Sequence, residues 1–320
     1  MQYGTIAGVR KPVSRLIQGA VGLTMADLPA SFALLDGVFA HGCTTFDTAH
    51  VYGGGDCDRT IGAWLADRGI REKVVIVGKG AHPSVDRKRV TPFDIAADLH
   101  DSLARLKTDY IDLYLLHRDD IDVPIGEIVD ALDEHRRAGR IHAYGGSNWT
   151  VARIREANAY AEAHGMEPFV ASSPHFSVAE QVNPPWAGCI SLGGADARDE
   201  RAWYREQQMP VLAWSSLCRG LFSGAYTPER LETGDPEQDG VVACYGNAAN
   251  AERLRRVIEM ASEKGVSVPQ LATAYLLHHD IRVFPLVGCA SGDEYAELTA
   301  AFDIALTADE RNRLDLGRDA

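Results

Sequence analysis

Short apolar runs recur eight times along this chain between amphipathic stretches, and few folds accommodate that alternation. The runs are Leu16–Ala20, Cys43–Phe46, Val74–Val77, Ile111–Leu116, Ile141–Gly145, Phe169–Ser172, Val211–Trp214 and Val283–Val287. Most are bounded by polar residues or glycine, as a strand buried on both faces of a parallel sheet would be. The stretches between them carry helix signals. Phe32, Leu35 and Phe39 share a face ahead of Gly42, and Thr91-Pro92 reads as an N-cap opening a stripe of Ile95, Leu99, Leu103 and Leu106. Ile125, Ile128, Val129 and Leu132 precede Gly139; Leu254, Val257, Ile258 and Ala261 precede Gly265. Thr307 with Glu310 spells a capping box.

Eight strands separated by helices is the count of a closed (β/α)8 TIM barrel. A doubly wound open sheet would carry a glycine-rich dinucleotide turn after an early strand. The one candidate, GGGD at 53–56, lacks the GxGxxG spacing and follows the second strand. No repeat or linker divides the chain, so residues 1–320 read as a single barrel domain. Two connections are long, Pro174 to Arg198 and Leu217 to Asn250. Both follow strands, which in a barrel puts them over the C-terminal face as candidate covers for substrate and cofactor.

Composition narrows the function classes. A net charge of −13 argues against a protein that tracks a nucleic-acid backbone. No run is long enough to cross a bilayer, and the N-terminal stretch MQYGTIAGVRKPVSRLIQ lacks the apolar core of a secretory signal. The six cysteines are scattered without metal-ligand spacing, which suits reduced thiols in the cytoplasm and no metal site.

In a parallel barrel the polar residues just past each strand converge on one rim. Asp47, His50 and Tyr52 follow the second strand, Lys79 the third, His117 the fourth, and Ser147 and Asn148 the fifth. Ser173, then Ser215 and Ser216, then Gly288 follow the last three. An acid, a phenol, an ammonium and an imidazole thus fall on neighbouring strands. A tyrosine of pKa about 10 is a poor proton shuttle at neutral pH, and a nearby ammonium favours its phenolate. A carboxylate would hold that ammonium charged, and the imidazole would hydrogen-bond the same carbonyl oxygen that the phenol protonates. Singly, each residue has a structural explanation; four complementary groups on consecutive strand ends are a proton-transfer constellation.

At these residues the sequence resembles the aldo-keto reductase superfamily. GCTTFDTAHVYGGG (42–55), VIVGKG (75–80), IDLYLLHRDD (111–120), GRIHAYGGSNWT (139–150) and AWSSLCRGLFSG (213–224) carry the resemblance in order along nearly the whole chain. It implies an NAD(P)H-dependent carbonyl reductase with neither metal nor flavin, in which Asp47, Tyr52, Lys79 and His117 are catalytic. It implies that Ser147 and Asn148 contact the nicotinamide amide. Trp214, Ser215, Ser216, Leu217 and Arg219 would then line the phosphates, with Gly288, Ser291 and Glu294 around the adenosine.

Two segments depart from the family pattern. SSPHFS offers Ser173 where a glutamine is usual, and Phe176 where an aromatic would stack on nicotinamide. GCASGDEYAEL (288–298) stands where a basic residue is usual, and no Lys or Arg lies between Arg282 and Arg311. A 2′-phosphate wants such partners, whereas Glu294 either suits the free ribose hydroxyls of NAD(H) or is simply a helix-face carboxylate. Family habit and Arg219 tip the expectation to NADP(H), with NAD(H) a close alternative. His50, Trp149, Trp186 and Tyr226, with His175 and Tyr245, are expected near the mouth, a set that suits a sugar-like, cyclic or aryl carbonyl compound. Two further readings use the same residues: a nicotinamide-binding regulatory subunit with incidental turnover, and a lyase or epimerase that transfers hydride transiently. Nothing in the sequence addresses oligomeric state.

Overall fold

A computed structural model describes residues Met1–Gly317. Eight strands form one closed barrel: β3 (Ile17–Gly19), β4 (Thr45–Asp47), β5 (Val75–Gly80), β6 (Ile111–Leu116), β7 (Ile141–Ser147), β8 (Ser172–Ser173), β9 (Val211–Ala213) and β10 (Val283–Val287). They succeed one another in chain order, and β10 returns to β3. The fold is therefore the (β/α)8 barrel that the alternation predicts. A small antiparallel ladder, β1 (Tyr3–Gly4) with β2 (Val13–Ser14), precedes it and has no counterpart in the sequence reading. Two-residue strands are too short to show a hydrophobic period.

The chain falls into two compact units. The first comprises Met1–Ser173 and Gly288–Tyr295; the second comprises Pro174–Val287 and Ala296 onward. In the first, β3 through β8 pair in parallel, with Lys79 opposite Leu115 and Ser147 opposite Ser173. In the second, β9 and β10 pair in parallel from Val283–Val211 onward.

Strand ends differ from the apolar runs in an informative way. Lys79 and Ser147 lie within β5 and β7 rather than beyond them. The apolar run stops at Val77, but Gly78-Lys79-Gly80 continue the ladder. A Cβ on Gly80 would lie 1.9 Å from the Tyr114 hydroxyl oxygen, and one on Gly145 would lie 2.1 Å from the Ala171 carbonyl oxygen. Glycine is thus demanded by close packing where hydrophobicity gives no strand signal. Phe169 lies outside β8, although the Val170 N–H still donates to the Tyr144 carbonyl at 3.0 Å.

The helix ends follow their local chemistry. Thr91 accepts from the Asp94 N–H, with Pro92 at the first turn of Pro92–Leu106. Thr307 and Glu310 make a reciprocal capping box, and Gly265 closes Ala248–Lys264 in the left-handed conformation. Both long connections hold structure of their own. The first bridges His175 to Ser191, and the second folds into Pro228–Thr233 and Gly240–Tyr245. Among the described residues, no helix is long and apolar enough to cross a membrane.

Candidate active site

The ends of β4, β5 and β6 bring the four predicted residues together within the first unit. Asp47 is the last residue of β4, Lys79 is the fifth of β5, and His117 directly follows β6. Their backbones are locked by continued strand bonding. The Thr48 N–H donates to the Val77 carbonyl, that of His50 to Lys79, and that of His117 to Gly80, each at 2.8 Å. Tyr52 opens a turn through Gly53, Gly54 and Gly55, whose φ values are +57°, +62° and +94°. Three successive left-handed residues need glycine. The GGG run is therefore a turn that sets Tyr52 ahead of helix Asp56–Arg68.

The Lys79 ammonium donates to both carboxylate oxygens of Asp47 at 2.5 Å, and both residues are buried. It lies 5.2 Å from the centroid of the Tyr52 ring, and that ring stands edge-on to His117 with centroids 5.7 Å apart. Burial opposes the Lys79 charge, but Asp47 and Tyr52 together outweigh it and raise the lysine pKa. The Asp47 carboxyl is pushed up by burial and drawn back by Lys79. Burial likewise pushes the Tyr52 phenol above its usual value, against the downward pull of Lys79. The net direction is the reverse of what the neighbouring ammonium alone suggests, because the desolvation of a phenolate cannot be read from a list of strand-end residues. His117 is held well below its usual value by burial, with Lys79, Arg118 and His82 adding to the effect, so its imidazole is neutral. Its Nδ1 is buried without a hydrogen-bond partner among the described residues.

Two neighbours were missed by sequence reasoning. His82 lies just beyond β5, and its ring is edge-on to His117 at 4.9 Å. Arg118 is buried and donates to the His117 carbonyl at 2.8 Å, and its charge is felt by Tyr52, His82 and His117. The available signal was a second imidazole three residues past the strand lysine and a cation beside the histidine.

The other first-unit residues divide. Ser147, Asn148 and Ser173 are brought together: the Ser147 hydroxyl donates to the Ser173 carbonyl at 3.0 Å, and Asn148 Nδ2 donates to Ser147 Oγ at 3.1 Å. Asn148 holds a φ of +58°. Gly288 is exposed, and a Cβ there would meet nothing within 4 Å. Ser291 caps helix Gly292–Thr299 by accepting from the Glu294 N–H, and Glu294 Oε2 accepts from the Ala290 N–H at 2.7 Å. His50 turns its ring to Asp101 at 3.2 Å, with Asp98 at 3.7 Å. Trp149 is buried against Phe169, centroids 5.1 Å apart.

In the second unit, Phe176 is wholly buried, edge-on to His279 at 5.0 Å and tilted against Tyr275. Its ring faces protein, whereas Trp214 is only half-buried. Ser215, Cys218 and Arg219 all have positive φ, 50°, 52° and 56°. Such conformations cost about 1–3 kcal/mol each and gather at ligand clamps. The Ser216 hydroxyl is tied to the Leu286 carbonyl at 2.6 Å, and the exposed Arg219 lies over the Trp186 ring at 5.5 Å. Tyr226 donates to Asp239 at 2.9 Å, and Tyr245 meets His175 at 3.2 Å.

The sequence model of the aldo/keto reductase family matches residues 15–316. The chain is 26% identical over 319 residues to an uncharacterized oxidoreductase, YrpG, of Bacillus subtilis, covering 96% of this chain and 92% of that one. It is 27% identical over 337 residues to norsolorinic acid reductase B of Aspergillus parasiticus, covering 98% and 82%. It is also 26% identical over 317 residues to the aryl-alcohol dehydrogenase [NADP(+)] of Phanerodontia chrysosporium, covering 92% and 77%.

Proposed function

The chain belongs to the aldo/keto reductase family, and from that premise we propose that it is an NAD(P)H-dependent reductase of an aldehyde or ketone with Tyr52 as the acid. The observation that carries the reading is the buried pair Asp47–Lys79 set against the Tyr52 ring, with neutral His117 beside it.

The residues present fit a nicotinamide. Ser147, Asn148 and Ser173 bring hydroxyl and carboxamide groups together at adjacent strand ends, a donor and acceptor set suited to an amide. Gly288 leaves open space for a cofactor to lie against backbone. The half-buried Trp214 is the better candidate than Phe176 for a stacking face, and the strained Ser215–Arg219 turn is a candidate for the pyrophosphate. Bound reduced nicotinamide supplies the hydride.

The chain's own part is proton transfer and orientation. Burial keeps Tyr52 protonated through the neutral range, so the acid is loaded. As the carbonyl oxygen gains charge, Tyr52 delivers its proton, and the Lys79 ammonium stabilises the phenolate left behind. Asp47 keeps that ammonium charged and fixed. A neutral His117 donates one N–H to the same oxygen without competing as a stronger acid. In the alcohol-oxidising direction, Tyr52 takes the proton back.

We assign NADP(H) as the preferred cofactor, with Arg219 the exposed cation beside the strained turn. The relative that carries NADP(+) in its name supports this choice. Glu294 caps its own helix start, which weakens the argument that it selects NAD(H). A cytoplasmic location belongs to the same reading, since the six cysteines are scattered along the chain without paired spacing. Titration followed by nicotinamide fluorescence should show both dinucleotides binding, NADPH more tightly. Tighter NADH would reverse the cofactor assignment, and binding of neither would refute the function.

A further inference from the structure

His82 is not part of the catalytic four, yet its ring packs edge-on to His117 with centroids 4.9 Å apart. Its Nδ1 lies 2.9 Å from the Pro83 carbonyl oxygen. A carbonyl only accepts, so Nδ1 must carry the proton, and in the neutral ring Nε2 is left as a lone-pair acceptor. Burial and the Arg118 charge keep that ring neutral. No described residue hydrogen-bonds Nε2. On the facing ring, His117 is more than nine-tenths buried with its Nδ1 unpartnered. Two imidazoles thus pack edge-on, each with a ring nitrogen that no described residue hydrogen-bonds, and the Tyr52 ring lies 5.7 Å from the His117 ring.

The two cannot serve the same substrate atom. The reacting oxygen gains negative charge and needs donors, so a lone pair aimed at it would oppose the reaction. An acceptor fixed next to that oxygen is matched instead by a donor on the neighbouring carbon. Resting on the reductase reading above, we infer that His82 is a specificity-determining residue. Its Nε2 accepts a hydrogen bond from a hydroxyl on the carbon adjacent to the carbonyl, which selects α-hydroxy carbonyl compounds over their alkyl counterparts.

The test uses two near-isosteric ketones, 2-hydroxyacetophenone and propiophenone, and reads the ratio of their kcat/KM values within each enzyme. The wild type should favour the hydroxy ketone by about tenfold, the worth of one hydrogen bond. His82→Phe should bring that ratio close to one, with the change carried by KM for the hydroxy ketone. His82→Gln, which keeps an acceptor oxygen, should recover part of it. A ratio near one in the wild type, or a wild-type ratio retained by His82→Phe, overturns the role of His82 and leaves the reductase reading intact. Failure of the wild type to consume NADPH or NADH with either ketone counts against the reductase reading, and this inference falls with it.

Discussion

Tyr52→Phe should lower turnover by about 10²- to 10⁴-fold, the usual contribution of a positioned acid, while nicotinamide affinity stays near the wild-type value. The substitution removes one hydroxyl and keeps the ring that packs against Lys79 and His117. Loss of activity with retained binding therefore separates proton transfer from a collapsed site. The pH profile supplies a second reading of the same group. A donor must be protonated to act, and burial holds the Tyr52 pKa above 10.0. Reductive kcat/KM should thus be level across the neutral range and fall only on the alkaline side of that value. His117 adds no break near 6.5, because it is already neutral there. Near-normal turnover in Tyr52→Phe would remove it from the mechanism.

Lys79→Met should abolish most activity and also weaken the fold. It strands the Asp47 carboxylate in a buried site, and breaking one side of such a pair costs about 3–5 kcal/mol. Urea denaturation would read that loss as a lower midpoint. Adding Asp47→Asn should return most of the stability, since no uncompensated charge remains, but none of the activity. Restored turnover in the double variant would show that the pair serves structure alone. A single Lys79→Met variant as stable as wild type would mean that water reaches Asp47.

Much of this was legible in the sequence for a physical reason: strands buried on both faces are largely apolar, so the runs that carry them stand out from the helices between, even where the strand itself, as at Ser172–Ser173, is polar. The candidate catalytic groups were legible because complementary charges at successive strand ends rarely coincide. What stayed hidden depended on three-dimensional packing. Strand β5 runs on through Gly78-Lys79-Gly80, where no apolar side chain signals it and the space demand of Tyr114 is invisible. Phe176 matched a stacking aromatic by position, yet it is enclosed by Tyr275 and His279. The left-handed Ser215, Cys218 and Arg219 carry no glycine to announce them. For His82 the spacing from Lys79 was the one signal, and its meaning comes from the ring of His117 beyond the next strand.

The central claim is that this chain reduces a carbonyl by hydride delivery coupled to proton donation from Tyr52. The most direct measurement is a single turnover with NADPH deuterated at the transferable position of C4 and 2-hydroxyacetophenone, the product being examined by mass spectrometry and NMR. One deuterium at the new carbinol carbon, formed by the wild type and nearly absent with Tyr52→Phe, is the predicted result. An alcohol product without deuterium at that carbon from either C4 position, or equal transfer by the two enzymes, would contradict it.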